Sequence, residues 1–353
     1  MKRDKILSII IPTYNMEKYL HKCLNSLIVT DENMRQLEVL VINDGSKDLS
    51  SQIAHEYEMK YPQTIRVIDK PNGNYGSCIN RGLKEATGKY VKVLDADDYF
   101  DKEVFDVFIS FLTEVDADLV ISNYCMVNNE GAAIQMYTFP VPVDRDFSMK
   151  DVPKDAVNRL WHHGVTYKME IFQKLEYKQT EGISYTDDEW IFKPMIYVDK
   201  IRYFSHNLYF YLRGREGQTF DPQVKKNEYR SRLVVAKSLS DFVEAWKDKG
   251  KDENMYFLKI KFISRIRNIY SYYILQTHLE DDLAYLKDFD IYIRENSPSV
   301  YEITDKIQNK FKVYYVRKWR ESHYNEKNWL LSSQRVLYRV ARLLFSRVLD
   351  AGI

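Results

Sequence analysis

The stretch VKVLDADD, residues 91–98, decides the fold prediction, because an apolar run ends there in three carboxylates within four positions. Residues 90–94 are typical of a buried strand. Open α/β sheets bind ligands beyond the carboxyl ends of their strands, so this acidic cluster lies where chemistry is expected. Asp95 and Asp97 point the same way if the chain stays extended, and two hard oxygen ligands on one side suit Mg²⁺ or Mn²⁺. Alternatively, the acids only end a strand and cap the next helix.

Strands and helices alternate over the sequence around this stretch. The predicted strands are residues 6–11, 37–42, 65–69, 90–94 and 118–123. The predicted helices are residues 16–27, 50–61, a segment that runs to residue 86, and 102–115. This alternation predicts an α/β domain with a doubly wound, mostly parallel sheet.

Two more strand ends carry candidate binding residues. Asp44 and Gly45 follow the second strand, where they either bind a ligand or simply make a helix-capping turn. The loop KPNGNYG, residues 70–76, leads into a helix, and its glycines would let backbone N–H groups approach a phosphate. No Gly-X-Gly-X-X-Gly follows the first strand and no Gly-Lys-Ser/Thr loop is present, which disfavours dinucleotide-binding and P-loop proteins.

Composition bounds the class of protein. The chain has 353 residues, of which 45% are hydrophobic and 29% charged, so a soluble globular protein with two domains is expected. A net charge of +1 gives no electrostatic argument for a nucleic-acid partner. Three scattered cysteines suggest neither a disulfide framework nor a zinc site, and they favour a reduced, cytoplasmic compartment.

Five motifs together resemble the family 2 glycosyltransferases, which have the GT-A fold, a doubly wound mixed sheet. They are SIIIPTYN at 8–15, VLVINDGS at 39–46, residues 72–82, ATGKY at 86–90 and LDADD at 94–98. Their order and spacing match, and a looser likeness continues to about Thr219. The resemblance implies inverting transfer of a sugar from a nucleotide sugar to a glycan or lipid-linked acceptor in bacterial surface-polysaccharide synthesis.

The resemblance also assigns residues to the donor site. The nucleotide-sugar-binding residues it implies are Pro12, Tyr14, Asn15, Asp44, Gly76, Asn80, Asp95, Ala96 and Arg213. Among them, Tyr14 would lie beside the base, Asp44 would accept a hydrogen bond from uracil, and Asn80 would lie near the phosphates. Asp97 would bind the divalent metal, Mn²⁺ or Mg²⁺, with Asp95 at the metal or its water shell. Many members have Arg before the asparagine, where this chain has Ile79.

An acidic pair further on would supply the general base. In the family this pair lies three residues before a Phe, and counting back from Phe192 gives Asp188 and Glu189. Glu189 then stands at the base position, although Asp188 or Asp187 could serve in another register. The requirement is a carboxylate within hydrogen-bond reach of the acceptor hydroxyl. These acids could also be a helix N-terminus favoured by the helix dipole.

Other residues carry weaker signals. Arg213 or Arg215 could reach the diphosphate, or they could be surface charges. His162, His163 and His206 are candidates for a third metal ligand, against a structural role for each.

The last third of the chain changes character after Pro222. Residues 227–247, 254–275 and 279–294 are predicted helices, which sets the expected domains at 1–222 and 223–353. From Gln334 the pattern is that of an amphipathic helix, with an apolar stripe on one side and a row of arginines on the opposite side. Such a helix either lies on an anionic membrane, at its inner face, or packs on its own domain.

We therefore expect a metal-dependent hexosyl- or N-acetylhexosaminyl-transferase that uses a UDP-sugar. The alternatives are a sugar nucleotidyltransferase, whose basic Gly-rich N-terminal loop is missing, and a non-catalytic nucleotide-sugar-binding subunit. The intact acids Asp95 and Asp97 argue against the latter. The donor sugar, the acceptor and the linkage are not readable from the sequence.

Overall fold

The computed structural model describes residues 5–214, 222–276, 280–309 and 312–324. These residues form two compact units. The first contains residues 5–214 and 251–257, and the second contains residues 222–250 and the described residues after 257. That the chain has two functional domains divided at residue 222 stays a prediction.

The first unit is built on one mixed sheet. Its strands are β1 Leu7–Thr13, β2 Leu37–Asn43, β3 Ile65–Asp69, β4 Tyr90–Val93, β5 Tyr99–Phe100, β6 Leu119–Val127, β7 Ala133–Tyr137, β8 Val165–Lys168 and β9 Ile201–Leu212. Their order is β3-β2-β1-β4-β8-β6-β9-β5, with β7 paired to β6. The first four strands are parallel, whereas β8 runs antiparallel to both of its neighbours. The predicted α/β class with a mixed sheet is confirmed. The predicted parallel pairing holds from β3 to β4; beyond β4, the pairing of β6 with β9 is parallel and the other pairings are antiparallel.

Helices cover the sheet between these strands. They are α1 Leu20–Asn25, α2 Asp31–Gln36, α3 Ser50–Lys60, α4 Asn74–Glu85, α5 Lys102–Glu114, α6 Lys154–Arg159, α7 Met169–Leu175 and α8 Asp187–Phe192. The helix predicted from residue 16 begins only at Leu20. Asn15 has a left-handed backbone with a φ of 53°, and the N–H groups of Met16 and Glu17 donate to Ser50 and Asp48 instead.

The central strands form where the sequence has unbroken apolar runs. Ile9, Ile10 and Ile11 of β1 have no exposed surface, as expected for a strand covered on both faces. Helix α4 packs closely on β1 because Gly82 has no side chain: a Cβ there would lie 2.5 Å from Cγ2 of Ile10. This contact places the N-terminus of α4 at the carboxyl edge of the sheet.

The second unit is helical. The helical segments after residue 221 are α9 Pro222–Trp246, α10 Asp252–Ser271, a π-helical turn at Tyr272–Gln276, α11 Glu280–Asn296, α12 Pro298–Asp305 and α13 Tyr315–Glu321. The part of α10 up to residue 257 belongs to the first unit. The three predicted helices of this region agree with α9, α10 and α11. Among the described residues, no helix combines the length and the hydropathy that a bilayer crossing requires. The amphipathic helix predicted from residue 334 lies outside the described residues.

Candidate active site

The loops after β1 and β2 are joined at the carboxyl edge of the sheet. The N–H of Asn15 donates to Oγ of Ser46 at 3.1 Å, and the N–H of Lys47 donates to Oδ1 of Asn15 at 2.8 Å. The N–H of Asp44 donates to the carbonyl of Thr13 at 2.8 Å. The structure therefore brings together the loops that carry Asn15 and Asp44. Tyr14, next to Asn15 in the chain, is 43% exposed, as a stacking surface must be.

Asp44 is a buried and fixed acceptor. Its Oδ1 accepts the N–H of Gly73 at 2.9 Å and also binds Nζ of Lys70. The side chain of Asn72 donates to the carbonyl oxygen of Asp44 at 3.0 Å. These contacts connect the loop after β2 to the N-terminus of α4 and balance the charge of the carboxylate.

The acidic stretch after β4 folds into a tight turn that buries its last acid. The N–H of Asp98 donates to the carbonyl of Asp95 at 3.0 Å. Asp98 accepts the hydroxyl of Tyr209 at 2.6 Å and the N–H of Leu212 at 2.7 Å. Burial, with repulsion from Asp97 and Asp95, raises the pKa of Asp98 well above its usual range. The third carboxylate is therefore a structural link to β9, which leaves Asp95 and Asp97 as the site acids.

Asp95 lies between two side chains from other elements. Its Oδ1 accepts the hydroxyl of Tyr75 at 3.1 Å, and its Oδ2 lies 3.0 Å from Nε2 of His162. The other ring nitrogen of His162 lies 3.9 Å from Oδ2 of Asp187. Burial disfavours the charged form of His162, but attraction and hydrogen bonding from Asp95 outweigh it and raise the pKa of the imidazole. His162 thus joins the acid after β4 to the acid at the start of α8.

The donors around Asp95 suit a divalent metal. One ligand atom each from Asp95, His162 and His163 lie within 4.8 Å of one another. His163 is buried, and within the described part of the chain neither of its ring nitrogens has a hydrogen-bond partner. Buried polar groups are normally satisfied, so orphaned imidazole nitrogens beside a carboxylate are consistent with metal ligation. Asp97, the predicted ligand, belongs to the same turn as Asp95 but not to this group, and its role stays a prediction.

The predicted general base, Glu189, is enclosed. It has no exposed surface, and it accepts the N–H of Thr180 at 2.6 Å and binds Nζ of Lys193 at 2.5 Å. Asp187, in the same first turn of α8, has a side chain that is 29% exposed and faces His162. Asp188, between them in the sequence, is also half-buried. The contact with His162 favours Asp187, one of the two alternatives to Glu189, as the carboxylate that an acceptor can reach.

Two residues that were predicted to bind the nucleotide sugar, Asn80 and Gly76, contact the segment around Thr180. The side chain of Asn80 bonds to Gln179 and Glu181, and Gly76 lies directly under the carbonyl of Thr180. Their assignment to the donor stays a prediction.

The other predicted residues lie at the rim or away from it. Arg213 follows β9, with its guanidinium 3.6 Å from the sulfur of Met126. Ala96 is buried within the acidic turn, and Pro12 lies in β1. His206 is exposed on β9 and is not in the group around Asp95. Arg215 lies outside the described residues.

Two further residues that no sequence motif indicated, Tyr75 and Lys92, help to build the site. Nζ of Lys92 donates to the carbonyls of His163 and Val165 at 2.7 and 3.1 Å, which holds the turn that carries both histidines against β4. Burial lowers the pKa of Lys92 to about 7. A lysine inside an apolar strand was the signal that could have identified it.

Comparison with known proteins relates this geometry to one family. The model of glycosyl transferase family 2 matches residues 8–176. The uncharacterized glycosyltransferase YibD of Escherichia coli is 30% identical over 239 residues, 64% of this chain and 67% of YibD. The poly(ribitol-phosphate) β-N-acetylglucosaminyltransferase TarS of Staphylococcus aureus is 28% identical over 246 residues, 69% of this chain and 42% of TarS.

A solved structure shares the fold. The crystal structure of S. aureus TarS 1–349 with UDP-GlcNAc covers 96% of this chain, which covers 92% of that structure, with a TM-score of 0.70 and 19% identity. The chain spans less than half the length of the first curated relatives that it matches, 42%, 49% and 31%.

The buried Lys92 gives the protein a defined pH dependence. Its pKa is about 7 in the folded protein against an ordinary 10.5, so between these values the unfolded chain binds the extra proton. Stability then rises with pH in this window. From pH 7 to pH 9 we expect the wild type to gain about 1 kcal/mol per pH unit over a Lys92→Met variant. Urea unfolding at pH 5–9 measures this, and parallel pH profiles for the two proteins would contradict it.

Proposed function

This chain belongs to glycosyl transferase family 2, and on that basis we propose that it transfers a sugar from a UDP-sugar to a hydroxyl of a glycan or lipid-linked acceptor in cell-surface polysaccharide synthesis. The family and the GT-A fold predicted from the sequence are confirmed. One observation carries the proposal: Asp95 and Asp187, from loops 92 residues apart, face the two nitrogens of one buried imidazole.

Two features support the choice of donor. The relative TarS is named as an N-acetylglucosaminyltransferase, and its structure was solved with UDP-GlcNAc. In this chain, exposed Tyr14 and the fixed carboxylate of Asp44 belong to two loops that hydrogen bonds join, and they are the proposed stacking surface and the proposed acceptor for a base N–H. We therefore propose an N-acetylhexosaminyl donor first and a hexosyl donor second. Arg213 at the rim of the site is the proposed contact to the diphosphate.

The proposed reaction is a single inverting displacement. The base takes the proton of the acceptor hydroxyl, the oxygen forms a bond to the anomeric carbon, and the bond from that carbon to the diphosphate breaks, releasing UDP. A divalent cation held by Asp95, His162 and His163, with Asp97 as the further proposed ligand, would neutralise the diphosphate as it leaves. Asp95 and Asp187 are partly exposed and stay within reach of substrate. Tyr75 fixes the side chain of Asp95, and Lys92 fixes the turn that carries His162 and His163.

Asp187 is the proposed base. A base must come within about 3 Å of the proton that it removes, so it needs an exposed carboxylate that opens onto the donor site. Asp187 meets this requirement at the N-terminus of α8. Glu189 has its carboxylate occupied by Thr180 and Lys193.

The other hypotheses rank lower. Family membership favours a glycosyltransferase over a sugar nucleotidyltransferase. A non-catalytic binding subunit would bind UDP but show no turnover. A cytoplasmic location, which rests on the scattered cysteines, and binding to an anionic membrane, which rests on the basic stretch after residue 334, remain proposals.

Calorimetric titration of UDP with and without Mn²⁺ tests the donor site. We expect metal-dependent binding by the wild type, and loss of about 1.4 kcal/mol or more, at least tenfold in Kd, for Asp97→Asn. Asp155→Asn is the matched control, because the side chain of Asp155 is 71% exposed on α6. If no UDP, GDP or TDP binds with any divalent metal, the proposed function is wrong.

The choice of base is tested by two isosteric changes. We expect Asp187→Asn to lower the kcat for UDP release from UDP-N-acetylglucosamine by 10²–10⁴-fold, roughly the contribution of a general base, and to leave UDP affinity unchanged. Glu189→Gln keeps an oxygen for the N–H of Thr180 and should retain much more activity. A larger loss for Glu189→Gln than for Asp187→Asn, with both proteins folded, would return the role to Glu189.

A further inference from the structure

We propose that one face of α4 clamps the loop that carries the catalytic acid, so that Asn80 and Glu189 are positioning residues and do not touch substrate. The clamped loop is defined as residues 179–186, which lead directly into Asp187. The proposal deepens the proposed function and rests on it for the role of Asp187.

The side chain of Asn80 is fully used in holding this loop. Its amide donates to the carbonyl of Gln179 at 2.9 Å and to the carboxylate of Glu181 at 2.7 Å. Its oxygen accepts the N–H of Gln179 at 2.8 Å. A primary amide has only two N–H donors, so Asn80 has none left for a diphosphate unless the loop is released.

Two glycines bring the loop onto the same face of the helix. A Cβ at Gly76 would lie 1.9 Å from the carbonyl oxygen of Thr180, a backbone atom that cannot swing aside. The carbonyl of Gly73 accepts the N–H of Gly182 at 2.9 Å. Positions 73, 76 and 80 are three and four residues apart, the spacing of one helical face. The loop therefore lies along this face over two turns of α4.

The opposite side of the loop is bonded to α8. Glu189 accepts both the N–H and the hydroxyl of Thr180, at 2.6 and 3.1 Å. The amide of Gln179 donates to the carbonyl and the hydroxyl of Thr186 at 3.0 and 2.9 Å. Because Glu189 is buried and paired with Lys193, loss of one member would leave an uncompensated charge. The first turn of α8, and with it Asp187, takes its position from the loop.

The loop needs this support because its backbone is strained. Tyr185, two residues before Asp187, has a φ of 63°. A bulky residue in the left-handed region is sterically disfavoured and persists only where its surroundings impose it.

The clamp also ties the two halves of the site together. Gly73, which holds Gly182 through its carbonyl, donates its own N–H to Asp44 at 2.9 Å. Helix α4 thus contacts the proposed nucleotide-side acid at its N-terminus and the base-bearing loop along its side. Its function would be to fix the distance between donor and base, and an error of about 1 Å there can cost 10²-fold in rate.

The test combines amide hydrogen exchange, UDP titration and turnover for Asn80→Ala. We expect faster exchange at Gln179, Thr180 and Gly182, a kcat that falls by roughly 10- to 100-fold, and an unchanged Kd for UDP. Lys84→Ala, an exposed position on the same helix, should change none of the three. Gly76→Ala should match Asn80→Ala, because its new Cβ must displace the loop.

Should Asn80→Ala fail to fold, Glu181→Ala removes one of these bonds, the one between the amide of Asn80 and the carboxylate of Glu181, by a change at an exposed position. Weaker UDP binding with unchanged exchange would make Asn80 a nucleotide ligand and overturn the proposal. Faster exchange with an unchanged kcat would also overturn it, because the loop would then not position the base. If the wild type binds no nucleotide, the proposed function fails, while exchange still decides whether Asn80 holds the loop.

Discussion

The site depends on the hydrogen bonds that satisfy the buried carboxylate of Asp98. A buried carboxylate is costly unless charge-assisted hydrogen bonds satisfy it, and Asp98 has two, from Tyr209 and from the N–H of Leu212. The hydroxyl of Tyr209 also accepts the N–H of Asp95 at 3.2 Å. This one tyrosine on β9 thereby closes the acidic turn and leaves its other acids at the edge of the sheet. Without the link, three neighbouring carboxylates would repel one another on an open loop.

The balance of charge separates structural acids from available ones. The enclosed acid of α8, Glu189, has a dedicated partner in Lys193. Asp95 and Asp187 have side chains that are 23% and 29% exposed, and both lie against His162. For the acids of α8 and those beside His162, exposure thus indicates which carboxylate holds the fold together and which ones can meet a substrate or a metal. By this criterion a residue's place in a sequence motif is weaker evidence than its exposure.

The sequence was sufficient for the fold class but not for the topology. Apolar runs such as that of β1 identify the central strands, because parallel strands are buried on both faces. The insertion of β8 between β4 and β6, antiparallel to both, depends on pairings between distant segments that no local pattern shows. That Asp44 and Asp95 lie at the same edge of the sheet was predictable, since the carboxyl ends of parallel strands share one edge.

The orientation of the second acidic cluster was not predictable. Counting back from Phe192 fixes a register, but successive residues of a helix point about 100° apart, so only the packed structure shows that Glu189 faces inward and Asp187 outward. The contact of Asn80 with Gln179 joins residues 99 positions apart, which a motif centred on Asn80 cannot reveal. Periodicity served well for α9 to α11, where local apolar spacing is the main signal.

The most direct test of the central claim is a crystal structure of the protein with Mn²⁺ and an intact UDP-sugar. The account predicts the diphosphate at the turn of Asp95 and Asp97, the carboxylate of Asp187 on the opposite side of the anomeric carbon, and Asn80 still bonded to Gln179. A solvent molecule in the acceptor position should lie within about 3 Å of Asp187. A diphosphate bonded to Asn80, or a Glu189 carboxylate turned toward the anomeric carbon, would contradict the account.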